Sequence, residues 1–210
     1  MVSVAGGLVA AGYEVEIYDA MTLFVTHADI EEKIRRCRPD FVGVTAITAT
    51  VNDSIAVLAT AKRVRSRIGT LLGGIHPTFM WKEILEAPGS PVDFVIRGEA
   101  ETTGPELLDR VTLGLSPLDI PGVAGRDEEG RAVSGPRRPD AKDLDLLPSA
   151  WHLLDWKIYN FRPRPGSVSA IVSSSRGCAQ ACSFCSQQKF WRRTWRARSP
   201  ESFVSELEML

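Results

Sequence analysis

Long apolar runs are missing from this 210-residue sequence. No stretch approaches the ~20 apolar residues that a bilayer-spanning helix needs, so no membrane span is expected. A surplus of one charge sign is missing too: 25 Lys and Arg stand against 26 Asp and Glu, leaving a net charge of −1. That excludes a chain-wide nucleic-acid footprint, though not a local basic patch. Cysteine is scarce, with four in the chain, too few for a disulfide scaffold at this length. The first 13 residues lack a basic n-region and lead into an alternating segment, so a secretory signal is not expected. The default compartment is then the reducing cytoplasm, where clustered thiols read as metal ligands before disulfides. Hydrophobic residues make up 44% and charged residues 24%, an ordinary globular balance that argues against disorder over most of the chain.

The first ~115 residues switch repeatedly between two hydrophobic periods. Strands are expected at Glu14–Asp19 (alternating), Phe41–Ile47 (apolar, as if buried on both faces), Thr70–Gly74 and Val92–Arg97. Helices are expected at Val4–Ala11, at Asp29–Arg36 with Asp29 as N-cap, at Asp53–Arg67, Phe79–Glu86 and Glu101–Leu113. Such alternation predicts an α/β fold, a doubly wound parallel sheet whose strands are joined by crossover helices. The chain opens in a helix with no strand before it, so the first strand of the domain is expected to be missing. Gly122–Arg126 and Arg131–Ser134 read as a hairpin. The Pro-, Arg- and Asp-rich stretch from Gly135 reads as a linker. The expected partition is an α/β domain over 1–134, a linker over 135–150 and a second domain over 151–210.

Ligands of parallel α/β sheets bind beyond the carboxyl ends of the strands. The segments placed there are Asp19–Met21, Thr45–Thr48, Gly73–His76 and Gly98–Glu101, all small or polar after apolar runs. Thr45, Thr48, Gly73, Gly74, His76, Gly98 and Glu99 are the candidate contacts. Gly and Thr also simply make good turns, but four such loops on one rim favour a ligand. Gly73 and Gly74 are expected to let a flat ligand approach the backbone.

Val168–Ser173 reads as a buried strand leading into Ser-Ser-Arg-Gly and then CAQACSFC. Cys178, Cys182 and Cys185 have C-x3-C-x2-C spacing, with Phe184 before the last. Three thiolates on one loop can hold three irons of a 4Fe–4S cluster and leave the fourth iron open. A structural zinc site would need a further ligand, such as His152 or Cys37 brought from elsewhere. A redox CxxC pair would leave Cys178 without a role. The basic aromatic stretch Lys189–Arg198 (KFWRRTWRAR) can be read three ways: stacking on nucleic acid, a solvated turn packed by its Trp rings, or carboxylate binding by Arg and Lys.

The CxxxCxxC loop, preceded by Ser-Arg-Gly, resembles the signature of radical S-adenosylmethionine enzymes. AGYEVEIYDA, RPDFVGVTAITAT, LLGGIHPTF, VDFVIRGEAE and DLDLLPS resemble the cobalamin-binding domain that precedes it in one branch. CSFCSQQKFW, Trp195–Arg198 and GGIHPTFMW are similar to a narrower group, the anaerobic magnesium-protoporphyrin IX monomethyl ester cyclases of bacteriochlorophyll synthesis. The resemblance covers nearly the whole chain.

It implies that residues 151–210 begin a radical-SAM partial (β/α) barrel. Cys178, Cys182 and Cys185 would ligate a 4Fe–4S cluster, S-adenosyl-L-methionine would chelate the open iron, and Phe184 would pack beside its adenine. Cleavage by one electron from an external donor would give methionine and a 5′-deoxyadenosyl radical. Cobalamin would sit on the rim, and the substrate would be a metalloporphyrin whose methyl-propionate side chain is oxidised and closed into a ring. The sequence departs from the pattern in four places. The barrel of such enzymes continues well beyond Leu210, so this chain alone is expected to show no turnover. The first cobalamin-domain strand is absent. There is no Asp-x-His-x-x-Gly motif to supply cobalt with a histidine. Ala100 replaces the glycine usual between the two rim glutamates. The alternatives are a cobalamin-dependent radical methyltransferase, a corrinoid carrier without catalysis, and a zinc protein. A tRNA methylthiotransferase would carry extra N-terminal cysteines, and only Cys37 is there.

Overall fold

The computed structural model describes residues 1–159 and 166–210. In chain order its elements begin with helices α1 (Val2–Ala10) and α2 (His27–Cys37). Next come β1 (Phe41–Thr45), α3 (Val51–Val64), β2 (Gly69–Gly73), α4 (Ile75–Glu86), β3 (Phe94–Ile96) and α5 (Thr103–Thr112). The hairpin strands β4 (Val123–Arg126) and β5 (Ala132–Ser134) follow, and 3-10 turns span Trp151–Leu153 and Trp156–Ile158. The last elements are β6 (Ser175–Gly177), α6 (Gln187–Phe190), β7 (Trp195–Ala197) and α7 (Pro200–Met209). By internal contacts the chain divides into two compact units, residues 24–140 and residues 1–23 together with 141–210. This differs from the expected 1–134, 135–150 and 151–210: α1 groups with the second half. The reason is local to that unit. Ala150 N–H donates to Val2 C=O at 3.0 Å. Any side chain at Gly6 would collide with the Pro148 backbone.

Residues 24–140 form the α/β unit. Strand order in the sheet is β1-β2-β3-β4-β5. β1 and β2 pair in parallel from Phe41↔Gly69 to Thr45↔Gly73, and β3 joins β2 in parallel. The β4–β5 hairpin then extends the sheet antiparallel. A crossover helix follows each of the first two strands, as parallel neighbours require. Leu58, Leu72, Ile84, Leu85, Val92 and Val95 make the core, with Val42, Val44, Ile55 and Trp81 packed against it. Polar groups pin the frame: Asp93 accepts from Thr70 N–H and Oγ1–H, each at 2.9 Å, and from Lys62 Nζ at 2.5 Å. Arg126 donates to the Leu85 and Val92 carbonyls at 2.9 and 2.8 Å.

Four expectations need correction. Glu14–Asp19 forms no ladder: Tyr13, Val15 and Ile17 are half-buried between exposed Glu14 and Glu16, so the alternation sets exposure without strand pairing. β1 is an edge strand with Gly43 and Thr45 exposed, not buried on both faces. α2 starts two residues before Asp29. Thr26 is its N-cap, and Asp29 closes a capping box by accepting from Thr26 N–H at 2.7 Å. Val168–Ser173 is not a buried strand: it has a single bridge residue, Val168, and Ile171 is 90% exposed. Ladder pairing falls instead on β6, which runs antiparallel to β7.

Candidate functional site

Two groups of candidate residues lie on separate units. The first is the rim at the carboxyl ends of β1, β2 and β3. Ala46 N–H, just past β1, donates to Gly73 C=O at 2.8 Å. Thr48 Oγ1 lies 3.1 Å from His76 Nδ1, which joins the loop after β1 to the first turn of α4. Ser54 on α3 donates to Thr45 C=O at 3.3 Å. The structure thus brings Thr45, Thr48, Gly73, Gly74 and His76 together.

The two glycines part company. At Gly73 a Cβ would meet nothing nearer than Ile96 C=O at 3.9 Å, so its face is open. Gly74 has φ +105, and a Cβ there would collide with the Ala46 backbone and the Thr45 hydroxyl. Gly74 therefore serves the loop's own packing, contrary to the expectation that it leaves room for a ligand.

Thr78, which the sequence reading passed over, ties the third loop in. It donates to Gly74 C=O at 2.8 Å and accepts from Gly98 N–H at 3.0 Å. Its position four residues after Gly74 is the available signal, since a first-turn Thr can reach the carbonyl one turn back. Glu99 C=O accepts from buried Thr103 at 3.2 Å. Arg97, just past β3, lies over the Trp81 ring at 5.3 Å. Burial, and then the Arg137 charge, lower its pKa from the ordinary arginine value. The rim is thus polar and flanked by a cation. A cleft of about 510 Å³ beside Leu85, Ser90 and Arg131 lies at the α4–β3 turn, the amino end of β3, away from this rim.

The second group is the cysteine loop. β6 and β7 pair from Ser175↔Ala197 to Gly177↔Trp195, so an antiparallel ladder closes the loop at its base. Gly177 has φ +91, and a Cβ on it would collide with the Thr194 carbonyl. Cys185 N–H donates to Cys182 C=O at 3.1 Å, and Gln188 Nε2 donates to the same carbonyl at 2.8 Å. Cys178 and Cys182 are exposed, Cys185 is half-buried, and all are free thiols. Phe184 is 90% exposed. Among the described residues no three His, Cys, Asp or Glu groups are gathered as a metal site, so the loop presents three thiols without converging them. Three soft thiolates with no disulfide between them are the donor set that iron–sulfur clusters take. Of the basic stretch, Arg198 is committed internally to Glu206, Ser202 and Asp145. Arg196 donates to Ala141 C=O and lies over Trp191 at 5.3 Å. These contacts favour the packed-turn reading for that end of it.

A parallel α/β unit with this rim defines the class, and comparison with known proteins gives it a family. Residues 1–108 match the B12-binding domain, and the chain belongs to that family. It is 41% identical over 98% of its length to the anaerobic magnesium-protoporphyrin IX monomethyl ester cyclase of Rubrivivax gelatinosus. It is 32% identical over 97% of its length to an uncharacterized methyltransferase of Pyrococcus horikoshii. Its fold matches a solved cobalamin-dependent S-adenosylmethionine radical enzyme, OxsB with aqua-cobalamin and S-adenosylmethionine bound, at TM-score 0.76, covering 99% of this chain at 19% identity. The chain spans 37%, 43% and 28% of those three proteins, respectively.

Proposed function

We propose that this chain is the corrinoid-binding and cluster-bearing part of a radical S-adenosylmethionine enzyme, and that the enzyme performs oxidative cyclisation of magnesium-protoporphyrin IX monomethyl ester. One observation carries the reading: three free thiols ride on a single loop closed by β6 and β7, in the same chain as a B12-binding domain. Identity of 41% to the Rubrivivax cyclase favours that reaction.

In this reading Cys178, Cys182 and Cys185 hold three irons of a 4Fe–4S cluster. Phe184, exposed on the same loop, flanks the adenine of S-adenosylmethionine. Thr45, Thr48, Gly73, His76, Gly98 and Glu99 face cobalamin, while Gly74 shapes the loop behind them. When bound, the cluster and S-adenosylmethionine, with an electron from an external donor, supply a carbon-centred radical for hydrogen abstraction. The protein's own work is to fix the thiols in sequence along one loop and to keep the rim loops in register.

The test is anaerobic reconstitution with iron and sulfide, followed by visible and EPR spectra with and without S-adenosylmethionine. A sulfide-containing cluster whose EPR signal shifts on adding S-adenosylmethionine is expected. Stoichiometric zinc without sulfide overturns the reading. Cys178→Ala, Cys182→Ala and Cys185→Ala should each lose the cluster absorption, and Cys37→Ala should keep it. In a chain extended to the relatives' length, 5′-deoxyadenosine formation should depend on the porphyrin. The second reading is favoured by the Pyrococcus relative: porphyrin-independent cleavage with methylation of another acceptor would move the assignment there.

A further inference from the structure

Three aromatic rings run in sequence within the unit formed by residues 1–23 and 141–210. Trp151 and Trp156 stack, with centroids 5.7 Å apart and planes inclined by 22°. Trp156 meets Tyr159 edge-on at 6.2 Å. Each end of the run stops at a carboxylate. Trp151 Nε1–H donates to Glu206 Oε1 at 2.5 Å. Tyr159 O–H donates to Asp19 Oδ2 at 3.0 Å. Asp19 is held in place for this bond, because Thr22 donates to it twice, from N–H at 3.0 Å and from Oγ1–H at 2.9 Å.

Aromatic pairs at these separations are ordinary packing, and buried Tyr and Trp usually find some hydrogen-bond acceptor. Packing does not call for an ionised acceptor at both ends, each brought from far along the chain. Burial opposes ionisation of Asp19, but hydrogen bonds from Thr22 and Tyr159 outweigh it and hold the carboxyl below its usual range. Burial first, and then Asp19, push the Tyr159 phenol up to about 12. At neutral pH a protonated phenol therefore faces a charged base, with the proton on the tyrosine. Removing an electron from the ring makes the phenol a strong acid, and the base is already in hydrogen-bond contact.

We propose that Trp151, Trp156 and Tyr159 form a hole-transfer relay that ends at Tyr159, with Asp19 as its proton acceptor. A one-electron oxidant of the peroxyl-radical class takes an electron from a tryptophan ring and becomes a peroxide anion. The electron vacancy passes to Tyr159, whose O–H bond breaks as a new O–H bond forms on Asp19 Oδ2. The products are a neutral tyrosyl radical, a protonated Asp19 and restored tryptophans. The relay settles a stray oxidising equivalent on one residue. It is independent of the cofactor reading, since it uses only side chains of this chain.

The test uses the 210-residue chain and a photogenerated ruthenium(III) polypyridyl as oxidant, with freeze-quench EPR as the readout. The chain has three tyrosines, so the double variant Tyr13→Phe/Tyr18→Phe retains Tyr159 alone and leaves the relay untouched. That variant should give the wild-type tyrosyl signal at full intensity. Tyr159→Phe should lose it and leave a tryptophan radical. Trp156→Phe, which keeps an aromatic ring but not an oxidisable one, should lose most of the tyrosyl yield. Asp19→Asn should do the same, with circular dichroism showing that the fold is kept. A wild-type chain that yields only tryptophan radicals, or a Tyr159→Phe variant with undiminished tyrosyl signal, overturns the relay. An undiminished signal in Asp19→Asn overturns the role of the carboxylate.

Discussion

Thr48 Oγ1 sits 3.1 Å from Nδ1 of His76, across two loops that leave different strands. The contact fixes the imidazole by one nitrogen, and no described residue takes a hydrogen bond to Nε2. With Nδ1 engaged, Nε2 is the nitrogen that His76 could offer to a ligand at the proposed rim. Thr48→Val should release the ring and weaken hydroxocobalamin binding by about 1 kcal/mol, roughly fivefold, the usual net worth of one hydrogen bond. His76→Ala should weaken it at least as much. Spectral titration of both variants checks this, and unchanged affinity in both would remove His76 from the site.

Thr78 makes two bonds that hold the second and third rim loops together. Thr78→Val keeps the shape and deletes both, so stability should fall by about 1–3 kcal/mol. Hydrogen exchange should quicken at the Gly98 amide, which loses its acceptor. A denaturant melt combined with exchange mass spectrometry measures both effects.

Gly177 combines φ +91 with a Cβ direction blocked by the Thr194 carbonyl. Gly177→Ala should open the β6–β7 ladder at a cost of about 1–3 kcal/mol of local strain. Iron–sulfide reconstitution should then fail although all three cysteines remain. Normal cluster yield in this variant would show that the ladder does not organise the loop.

The Tyr159–Asp19 pair gives the chain an alkaline and an acid limit. A phenol raised to about 12 in the folded chain, against an ordinary 10.0, favours folding below pH ~10. That contribution fades as pH rises toward about 12, because the unfolded chain ionises first. Tyr159 is only half-buried, so solvent screening reduces the effect to roughly 1 kcal/mol. Asp19, with its pKa lowered in the folded chain, contributes above its unfolded value, and that contribution is lost as pH falls through the folded one. Tyr159→Phe should flatten the alkaline limb of a melting-midpoint profile. An identical limb in wild type and variant would contradict the assignment.

Much of the α/β unit was legible because crossover helices and apolar strands leave opposite periods in the sequence. Leu71 and Leu72 in β2, and Leu107 and Leu108 in α5, are buried where the pattern puts them. The failures share a cause. Periodicity records which side of a segment meets water, but not whether another strand lies alongside. Glu14–Ile17 alternates in exposure without a ladder, and Val168 and Ile171 are apolar yet exposed. The α2 cap was misplaced by one turn because Thr26 and Asp29 are both good caps and the box uses both. The cysteine loop was legible as spacing, whereas its closure by Gly177 and Thr194 was not, because those residues meet only after the chain doubles back.

That doubling back bears on how the protein would recover from damage. Gathering three thiols from an open chain costs loop-closure entropy that grows with the length between fixed points. Here the fixed points are Gly177 and Trp195, and backbone pairing sets them without any metal. In the proposed reading, a loop stripped of iron by oxidation would keep both anchors, and with them three thiols confined to one span of chain, although the thiols do not converge there. Filling the loop would then have to order the span between the anchors without first bringing its ends together.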